Sequence, residues 1–563
     1  MKVVIVGGVA GGATAAARIR RMDDSAQIVV FERSSFVSYA NCGLPYYIGG
    51  VITDKRDLTL QSPDGFRERF RIDVRVRHEV TAIDVDAKTV TVRGLDTGET
   101  YTETYDKLLL SPGARPTVPD VPGKDLPGVF TLRTVEDTFR IREYVEENAP
   151  KSAVIAGGGF IGLEMAENLT AAGVRVTLLQ RPKQVLPPLD GDIAAFLHAH
   201  IREKGVDLRL GCALESIEKD GQALAVRASG TELVRADMVV LALGVTPDSK
   251  LARDAGLRLG AKDSIAVNDR METSAPDVYA VGDAVEITHF VSGAKALVPL
   301  AGPANKQGRI AADNICGLDR RYTGAQGSSV VRVFDMTAAA TGLNEKTAAA
   351  AGIDYDKIVI SPTSHASYYP GANRMVMKVL YEKGTLRLLG ANAAGYDGVD
   401  KRMDVLAGAI RAGQSALDLR DLELCYAPPY SSAKDPVNMA GYVIENIVEG
   451  RIKQYHWHDV AGLPRDGSVT LLDVRTPGEY KGGCAEGFIN IPVDELRDRV
   501  SELDPGKPVY VMCQGGIRSY YACRFLAQNG FDCYNFSGGY MFYSAVTEDR
   551  ALRESAMPCG MER

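Results

Sequence analysis

Two glycine-rich loops, each placed directly between a strand and a helix, constrain this chain more than any other feature of its sequence. The first follows the apolar strand Lys2–Val6 and precedes a predicted helix over 12–22 and a strand over 27–31. The second begins 150 residues later, between predicted strands at 153–156 and 175–179. Such strand–helix–strand units form parallel sheets, and each loop at a helix start can cradle a phosphate. The sequence therefore predicts an α/β fold with two nucleotide sites.

The second loop carries the stronger fingerprint. It reads Gly-Gly-Gly-Phe-Ile-Gly and fits the pattern G-x-G-x-x-G. Gly157 permits a tight turn, Gly159 lets the backbone approach a pyrophosphate, and Gly162 allows close packing of helix on strand. The next strand ends at Gln180 and Arg181 rather than at an acid. Glutamine can bind a ribose and arginine can pair with a 2′-phosphate, so NADH and NADPH both stay open.

The first loop departs from this pattern. It runs from Gly7 to Gly12, but Val9 occupies the place of the middle glycine. Glu32 supports the nucleotide interpretation, because a carboxylate at the end of the second strand can accept hydrogen bonds from a ribose diol. This loop is therefore also predicted to bind a dinucleotide.

Length, charge and cysteine content narrow the class of protein. At roughly 150 residues per domain, 563 residues predict three to five domains. The net charge of −7 argues against nucleic acid or an anionic membrane as the main partner. The sequence contains no run of about 18 apolar residues, so no membrane span is predicted. The N-terminal apolar run is too short for a signal peptide. Nine cysteines without a C-x-x-C pair suit a reduced protein, which we expect in the cytoplasm.

Further motifs make the pattern specific. A Leu-Gly pair stands at 243–244, and the segment 273–283 reads Thr-Ser-Ala-Pro-Asp-Val-Tyr-Ala-Val-Gly-Asp. With the two loops, these motifs resemble the pyridine nucleotide–disulfide oxidoreductase superfamily over roughly residues 1–450. The resemblance implies that the first unit binds FAD, with Asp283 on the ribityl chain, and that the second binds NADH or NADPH. It also places cofactor contacts at Gly113, Gly244 and Gly282.

Cys42 is the predicted redox thiol of the flavin domain. Many flavin disulfide reductases carry a second cysteine five residues later, but here that residue is Tyr47 and the next cysteine is Cys212. Cys42 must therefore complete its disulfide chemistry with a thiol from outside this segment. Its surroundings resemble those of coenzyme A–disulfide reductases, which form a mixed disulfide with CoA. NADH oxidases and peroxidases have a histidine where this chain has Ala10. A helix start at Cys42 is expected to stabilise the thiolate.

The same resemblance implies a homodimer in which two tyrosines reach the cysteine of the other subunit. The motifs His-Ala-Ser-Tyr-Tyr-Pro-Gly and Tyr-Ala-Pro-Pro-Tyr place these roles on Tyr368 and Tyr426. A phenol near a leaving thiolate can donate a proton. The predicted contacts to CoA are two arginines one helical turn apart, suited to phosphates, and two polar residues of the cysteine segment: Arg18, Arg21, Ser38 and Asn41.

The last hundred residues predict a separate small α/β domain with its own reactive cysteine. Cys513 follows a predicted strand at 509–512 and precedes two glycines and a helix from Ser519, so backbone N–H groups should surround an anionic sulfur. Arg518 stands five positions after Cys513, whereas cysteine phosphatases need six. The loop therefore resembles rhodanese, which carries sulfane sulfur as a cysteine persulfide. Asp473 and Arg475 are expected to brace it, while the segment 482–485 departs from the rhodanese pattern.

Four domains are predicted. They are an FAD-binding domain at 1–115 and 250–327, an NAD(P)H-binding domain at 116–249, an α+β dimerisation domain at 328–450 and a rhodanese domain at 459–550. No metal site is expected, because the pairs His198/His200 and His456/His458 have no cluster of acids or cysteines nearby in the sequence.

The whole arrangement resembles a coenzyme A–disulfide reductase fused to a rhodanese, a group that includes persulfide and polysulfide reductases. It implies FAD-dependent reduction of CoA persulfide or polysulfide by NADH or NADPH, with release of hydrogen sulfide. Tightly held CoA would act as the second thiol, and Cys513 would carry sulfane sulfur. Two alternatives stay open. One is CoA-disulfide reduction for thiol homeostasis; the other is a sulfur relay from Cys513 in which the flavin part regulates redox state.

Overall fold

The computed structural model describes residues 1–555, which divide into two compact units. The first contains residues 1–182 and 205–327, and the second contains residues 183–204 and the chain from Ser328 onward. Residues 183–204, which fall within the range 116–249 predicted for the NAD(P)H domain, belong to the second unit. Cys559, one of the nine cysteines, lies outside the described residues.

The first unit begins with a parallel five-stranded sheet. Its strands lie in the order Val278–Ala280, Lys107–Leu110, Lys2–Val6, Gln27–Glu32 and Asp73–Val76. The central strands are almost continuously apolar, as expected where helices cover both faces of a sheet. Helix Ala10–Met22 packs closely on helix Ala301–Ile315, since a Cβ atom at Gly308 would lie 2.4 Å from the Gly11 carbonyl oxygen.

A second parallel sheet repeats this design within the same unit. Its order is Asp207–Leu210, Arg175–Gln180, Ser152–Ala156, Met238–Leu241 and Val129–Thr131. Helix Phe160–Ala171 connects two of its neighbouring strands. Strand Ala114–Pro116, at the boundary between the two predicted nucleotide domains, pairs antiparallel with Val245–Pro247. Two strand–loop–helix–strand units are thus present where the sequence predicted them.

Smaller elements complete the first unit. One antiparallel sheet contains His78–Asp84, Thr89–Gly94 and Thr100–Thr104. A second antiparallel sheet contains Leu214–Asp220, Ala223–Ala228 and Val234–Ala236. A mixed sheet contains Ile265–Ala266, Val285–Thr288 and Lys295–Ala296. The other helices are Leu44–Ile48, Pro63–Phe70, Val135–Asn148 and Lys250–Asp254. Within residues 1–555, no helix has the length and apolar character needed to cross a membrane.

The second unit contains an antiparallel sheet with helices after it, as predicted for the dimerisation domain. The strand order is Ser329–Val333, Met336–Gly342, Leu388–Gly395, Met375–Glu382 and Tyr355–Ile360. Its helices are Gly191–Glu203, Glu345–Ala350, Val399–Arg411 and Pro436–Val448.

The last sheet of the second unit is parallel and forms the C-terminal domain. Its order is Lys453–Tyr455, Cys533–Phe536, Val509–Met512, Thr470–Asp473 and Ile489–Asn490, with helices Pro477–Lys481, Leu496–Arg499, Ile517–Gln528 and Gly539–Ser555. The strand Lys453–Tyr455 extends this domain beyond its predicted start at 459. His456 and its neighbours interrupt the apolar pattern there, so the sequence alone does not mark this strand.

A fully buried lysine holds helix Gly191–Glu203 to the dimerisation sheet. The Lys378 ammonium lies 2.6 Å from carboxylate oxygens of Asp192 and Glu345 and 3.3 Å from Asp190. These three acids have the spacing of a metal site, but the ammonium group already occupies the space between them. Burial of a single charge is costly, so the lysine and the acids stabilise each other only as a set.

Candidate active sites

The first glycine loop lies at the carboxyl edge of the first sheet. Gly7 has a φ of +95°, and a Cβ atom there would lie 2.1 Å from the Ser111 carbonyl oxygen. A Cβ atom at Gly12 would lie 1.9 Å from the Gly7 carbonyl oxygen. Val9 has a negative φ and begins the helix without a side-chain cap, so no glycine is required there. The helix start thus presents backbone N–H groups, as a phosphate site needs.

Acidic and basic groups surround this loop. The buried Glu32 carboxylate accepts hydrogen bonds from the backbone N–H groups of Gly8 and Ser34, both at 2.9 Å, and keeps lone pairs for a ribose. Asp283 pairs with Arg133 at 2.8 Å. Gly113 lies beside the same guanidinium, since a Cβ atom there would be 3.3 Å from Arg133 Nη2. Glu32, Gly113 and Asp283 thus lie at or just beyond the carboxyl ends of strands of the same parallel sheet.

Other predicted cofactor residues have matching geometry. Gly282 has a φ of +84° and donates its N–H to Gln307 Oε1 at 2.7 Å. Gly244 has a φ of +95°, and a Cβ atom there would have no neighbour within 4 Å. Both positions need the left-handed backbone that glycine adopts without strain.

The second glycine loop has the geometry of the fingerprint. Gly157 has a φ of +114°, and a Cβ atom at Gly162 would lie 1.8 Å from the Gly157 carbonyl oxygen. The space around Gly159 is open, and helix Phe160–Ala171 begins without a side-chain cap. Gln180 Oε1 accepts the Gly158 N–H at 2.8 Å, and Arg181 is exposed. Both loops therefore fit a dinucleotide pyrophosphate.

Cys42 is exposed and is linked to the first glycine loop through the backbone. It lies in the 3₁₀ turn Asn41–Gly43, directly before helix Leu44–Ile48. Ser38 adopts a left-handed φ of +48° and donates its N–H to the Gly8 carbonyl at 2.8 Å. The predicted contacts Ser38 and Asn41 thus stand on the segment that joins Cys42 to the predicted FAD loop.

The protein around Cys42 disfavours the thiolate. Although the residue is exposed, surrounding protein desolvates the sulfur and raises the pKa of the Cys42 thiol, and the carboxylates of Glu164 and Asp283 raise it further. Only Arg133 acts in the opposite direction. The expectation of a thiolate stabilised by the following helix stays a prediction, and these protein groups act against it. That helix has five residues, too few for a strong terminal dipole.

Glu164 is a site residue that the sequence reasoning missed. It lies on helix Phe160–Ala171, where burial raises the pKa of its carboxyl to about 7, and it accepts a hydrogen bond from the Tyr46 hydroxyl at 3.4 Å. A signal was present, because Glu164 is an acid that directly follows the apolar start of this helix, Phe160–Leu163. Arg133 was missed as well, since nothing in its sequence context points to Asp283.

The two predicted CoA arginines differ. Arg18 Nε lies 2.6 Å from Asp313 Oδ1, so its charge already has a partner in the protein. Arg21 is exposed and forms no salt bridge with any residue from 1 to 555. The helix positions agree with the prediction, but Arg21 is the better group for an incoming phosphate.

The predicted tyrosine pair is brought together. The hydroxyl oxygens of Tyr368 and Tyr426 lie 2.8 Å apart, and the two residues are 75% and 47% exposed. Their hydrogen bond raises the pKa of Tyr368. A cavity of about 460 Å³ adjoins Tyr426 and is also lined by Lys401 and Cys425. Two hydrogen-bonded phenols at an accessible surface can donate a proton to an approaching group.

The Cys513 sulfur is buried and accepts two hydrogen bonds. The Gly516 N–H lies 3.1 Å from the sulfur, and the Ser519 hydroxyl lies 3.2 Å from it. Gly516 has a φ of +96° and ends the loop, so the helix begins at Ile517, two residues earlier than predicted. Hydrogen-bond donors aimed at sulfur stabilise an anionic thiolate or persulfide.

Arg475 braces the Cys513 loop. Its buried guanidinium pairs with Asp473 at 2.7 Å and donates to Gln514 Oε1 at 3.2 Å and to the Gly483 carbonyl at 2.7 Å. It also stacks on the Tyr540 ring at 3.9 Å. Gly483, within the segment that departs from the rhodanese pattern, adopts a φ of +142° that suits glycine. The segment 482–485, although it differs from the rhodanese pattern, therefore still supplies a carbonyl that accepts a hydrogen bond from Arg475.

Arg518 is less available than the sequence indicated. Its guanidinium forms two hydrogen bonds with Glu479, at 2.6 and 2.8 Å, and this pairing holds the pKa of Glu479 at about 2. Fixed positive charge is thus present near the loop, but a carboxylate already balances it.

Comparisons with known proteins agree with this arrangement. Residues 1–308 match the pyridine nucleotide-disulphide oxidoreductase family, 328–436 its dimerisation domain and 457–545 the rhodanese-like domain. Over 447 residues the chain is 37% identical to coenzyme A disulfide reductase of Staphylococcus haemolyticus, covering 79% of this chain and all of that protein.

Two solved structures resemble nearly the whole chain. The reduced Bacillus anthracis CoADR-RHD is 47% identical, with a TM-score of 0.95 and 98% of each chain covered. The NAD-dependent persulfide reductase from A. fulgidus is 38% identical, with a TM-score of 0.91, covering 96% of this chain and all of that one. The resemblance inferred from the motifs and the predicted fold class are confirmed.

Proposed function

Because the chain belongs to the pyridine nucleotide-disulphide oxidoreductase family and also carries a rhodanese-like domain, we propose that it reduces CoA persulfide or polysulfide and releases hydrogen sulfide. It is an oxidoreductase of a family that uses FAD with NADH or NADPH. The observation that carries the proposal is the pair of isolated reactive cysteines. Cys42 is exposed beside the predicted FAD loop, and Cys513 has a sulfur prepared to hold negative charge.

The residues of the first unit fit the two cofactors. FAD would be held by Gly7, Gly12, Glu32, Gly113, Gly282 and Asp283. The nicotinamide nucleotide would be held by Gly157, Gly159, Gly162, Gln180 and Gly244. FAD bound there supplies two electrons from NADH or NADPH to a disulfide.

Cys42 performs the thiol chemistry in this proposal. Its thiolate attacks the CoA-bound sulfur of CoA–S–SH, the sulfur–sulfur bond breaks, and HS⁻ leaves with the electron pair. The resulting Cys42–CoA disulfide takes two electrons and one proton, which regenerates the Cys42 thiolate and releases or retains CoA as a thiol. CoA is the second thiol that the segment around Cys42 lacks. Arg21 and Arg18 would bind its phosphates, and Ser38 and Asn41 its thiol end.

The tyrosine pair supplies a proton in the same scheme. Tyr368 and Tyr426 would reach Cys42 of the other subunit in a homodimer, and the proton shared between their hydroxyls would protonate the leaving sulfur. The matched dimerisation domain supports this assembly. Cys513 would take sulfane sulfur from a donor as a persulfide and deliver it to the reductase.

Reduction of CoA disulfide for thiol homeostasis is the second candidate. The S. haemolyticus relative carries that name, and its whole length corresponds to 79% of this chain. The same attack by Cys42 would expel a CoA thiolate in place of HS⁻. A sulfur relay from Cys513 is the third candidate, in which the flavin part only regulates redox state.

Anaerobic turnover with NADH and with NADPH separates these candidates. Sulfide release from CoA persulfide and consumption of CoA disulfide are compared in wild type, Cys42→Ser and Cys513→Ser. The proposal expects faster turnover of the persulfide and loss of both reactions in Cys42→Ser. Full sulfide release in Cys42→Ser would exclude the mechanism. Faster turnover of CoA disulfide would favour the second candidate.

A further inference from the structure

The Cys513 loop lies against the dimerisation domain. Ser361 Oγ donates to the Gly538 carbonyl, and the Val359 N–H donates to Ser537 Oγ, both at 2.9 Å. The chain after Gly538 in turn binds the cysteine loop, because the Tyr540 N–H donates to the Cys513 carbonyl at 2.7 Å. The segment from Ser361 is therefore fixed relative to Cys513.

Arg374 is the cation that this segment places at the loop. Its Nη1 donates to the Ser361 carbonyl at 2.9 Å, and a Cβ atom at Gly515 would lie only 2.9 Å from the same nitrogen. Gly515 is the second residue after Cys513 and the neighbour of Gly516, whose N–H binds the sulfur. The absence of a side chain at Gly515 thus lets the guanidinium approach the loop backbone.

The charge of Arg374 has no acidic partner. Arg374 is exposed and forms no salt bridge in the part of the chain that the structure describes. Arg518, which the sequence indicated as the cation of this site, is bound by Glu479 through both of its terminal nitrogens. An incoming anion would compete with Glu479 for Arg518, whereas Arg374 can accept it directly.

We propose that Arg374, a residue of the dimerisation domain, binds the substrate of the Cys513 site. The ligand is a small sulfane-sulfur donor with negative charge close to the transferred sulfur, for which thiosulfate is the probe. The inference rests on the proposed role of Cys513. Cys513 thiolate attacks the outer sulfur of thiosulfate, the sulfur–sulfur bond breaks, and sulfite leaves with the electron pair, leaving a Cys513 persulfide. Cyanide then removes the terminal sulfur as thiocyanate and regenerates the thiolate.

The test is the thiosulfate:cyanide sulfurtransferase activity of the full-length holoenzyme. In Arg374→Ala we expect the KM for thiosulfate to rise about tenfold, the effect of losing one charge-assisted hydrogen bond, with kcat changed less than about twofold. Arg374→Lys should keep most of the affinity. Added salt should raise the KM of wild type more than that of Arg374→Ala, because salt screens the attraction between Arg374 and thiosulfate, which the variant lacks.

Arg332→Ala is the matched control. Arg332 is also an exposed arginine of the dimerisation sheet whose side chain donates to a backbone carbonyl, that of Phe334 at 2.7 Å, and its removal should leave the KM unchanged. An Arg374→Ala enzyme with wild-type KM, or with only kcat reduced, would overturn the proposal. Cys513→Ser identifies the other failure: if it transfers sulfur as well as wild type, the role of Cys513 is wrong and this inference falls with it.

Discussion

At the scale of single residues, the reactive sulfur of Cys42 is not activated by its own protein environment. Desolvation and the Glu164 and Asp283 carboxylates raise the pKa of its thiol, and Arg133 opposes them. The stabilisation needed for attack must then come from groups that bind beside it. Such a thiol reacts slowly with general oxidants and alkylating agents, since the thiolate is the nucleophile.

The first prediction concerns Glu164→Gln. Removing this carboxylate should lower the pKa of Cys42, because its negative charge opposes thiolate formation. The pH midpoint for alkylation of the Cys42-containing peptide by iodoacetamide, followed by mass spectrometry, should therefore move down. The effect should grow as the pH rises through about 7, where Glu164 ionises in the wild type. Glu143→Gln, an exposed acid of the same unit, is the control, and an unchanged midpoint in Glu164→Gln would contradict the argument.

Some of these residues are readable from sequence and others are not. Gly157, Gly162 and Cys513 stand in local motifs whose function depends on neighbours a few positions away, so their sequence context predicts them. Glu164 and Arg374 act through residues distant in sequence, Cys42 and Gly515. Only the folded arrangement gives them a role.

At the scale of elements, helix Gly191–Glu203 has partners that its sequence neighbours do not reveal. It lies within the range predicted for the NAD(P)H-binding domain, yet residues 183–204 belong to the second unit. Both charged and apolar contacts hold the helix in the second unit. Asp190 and Asp192 at its start need a buried cation, and Lys378 of strand Met375–Glu382 provides it. His198 likewise has an acid partner, Asp549 at 3.0 Å, that its local sequence does not contain.

The second prediction is that Lys378→Met lowers the free energy of unfolding of the second unit by about 3–5 kcal/mol, because it leaves buried carboxylates without a counter-charge. The midpoint of urea denaturation, followed by circular dichroism, measures the change. Lys383→Met is the control, since that exposed lysine pairs only with the exposed Asp354 and should shift stability by less than about 0.5 kcal/mol. Equal midpoints for the two variants would refute the role of Lys378.

The third prediction is a pH dependence of the same cluster. Burial alone would raise the pKa of Glu345, but the Lys378 and Lys357 ammonium groups hold it at about 2. A carboxyl with a lowered pKa stabilises the fold above its unfolded value of about 4.5 and loses that contribution as the pH falls towards 2. Acid denaturation of Glu345→Gln should therefore be less steep than that of wild type between pH 4.5 and 2. Parallel curves would show that Glu345 contributes nothing to this transition.

At the scale of the whole chain, the C-terminal domain is packed into the second unit. Phe542 stacks on Phe196 with ring centroids 6.1 Å apart, and Asp549 binds both His198 and Arg202. These contacts join helix Gly539–Ser555 to helix Gly191–Glu203, across about 350 residues of sequence. The domain order was predicted from motifs, but this packing was not, because no local pattern marks two faces that meet only after folding.

The fourth prediction follows for a chain ending at Gly450. Removing the C-terminal domain exposes Phe196 and leaves the buried His198 without Asp549, so the apparent Tm should fall by roughly 5 °C or more. Differential scanning fluorimetry measures it, and full-length Cys513→Ser, which should keep the wild-type value, is the control. A shortened chain as stable as wild type would show that the reductase part does not depend on the packed domain.

During synthesis, helix Gly191–Glu203 must wait for its packing partners, because they lie far along the chain. Asp192 leaves the ribosome 186 residues before Lys378, and His198 leaves it 351 residues before Asp549. At 5 to 20 residues per second, the second interval lasts roughly 20 to 70 seconds. Until Lys378 emerges, the nascent chain carries an apolar helix with two unneutralised acids, and until Asp549 emerges its His198 has no acid partner. Holding this segment until translation ends is a task for a chaperone, and slowing translation lengthens the exposure.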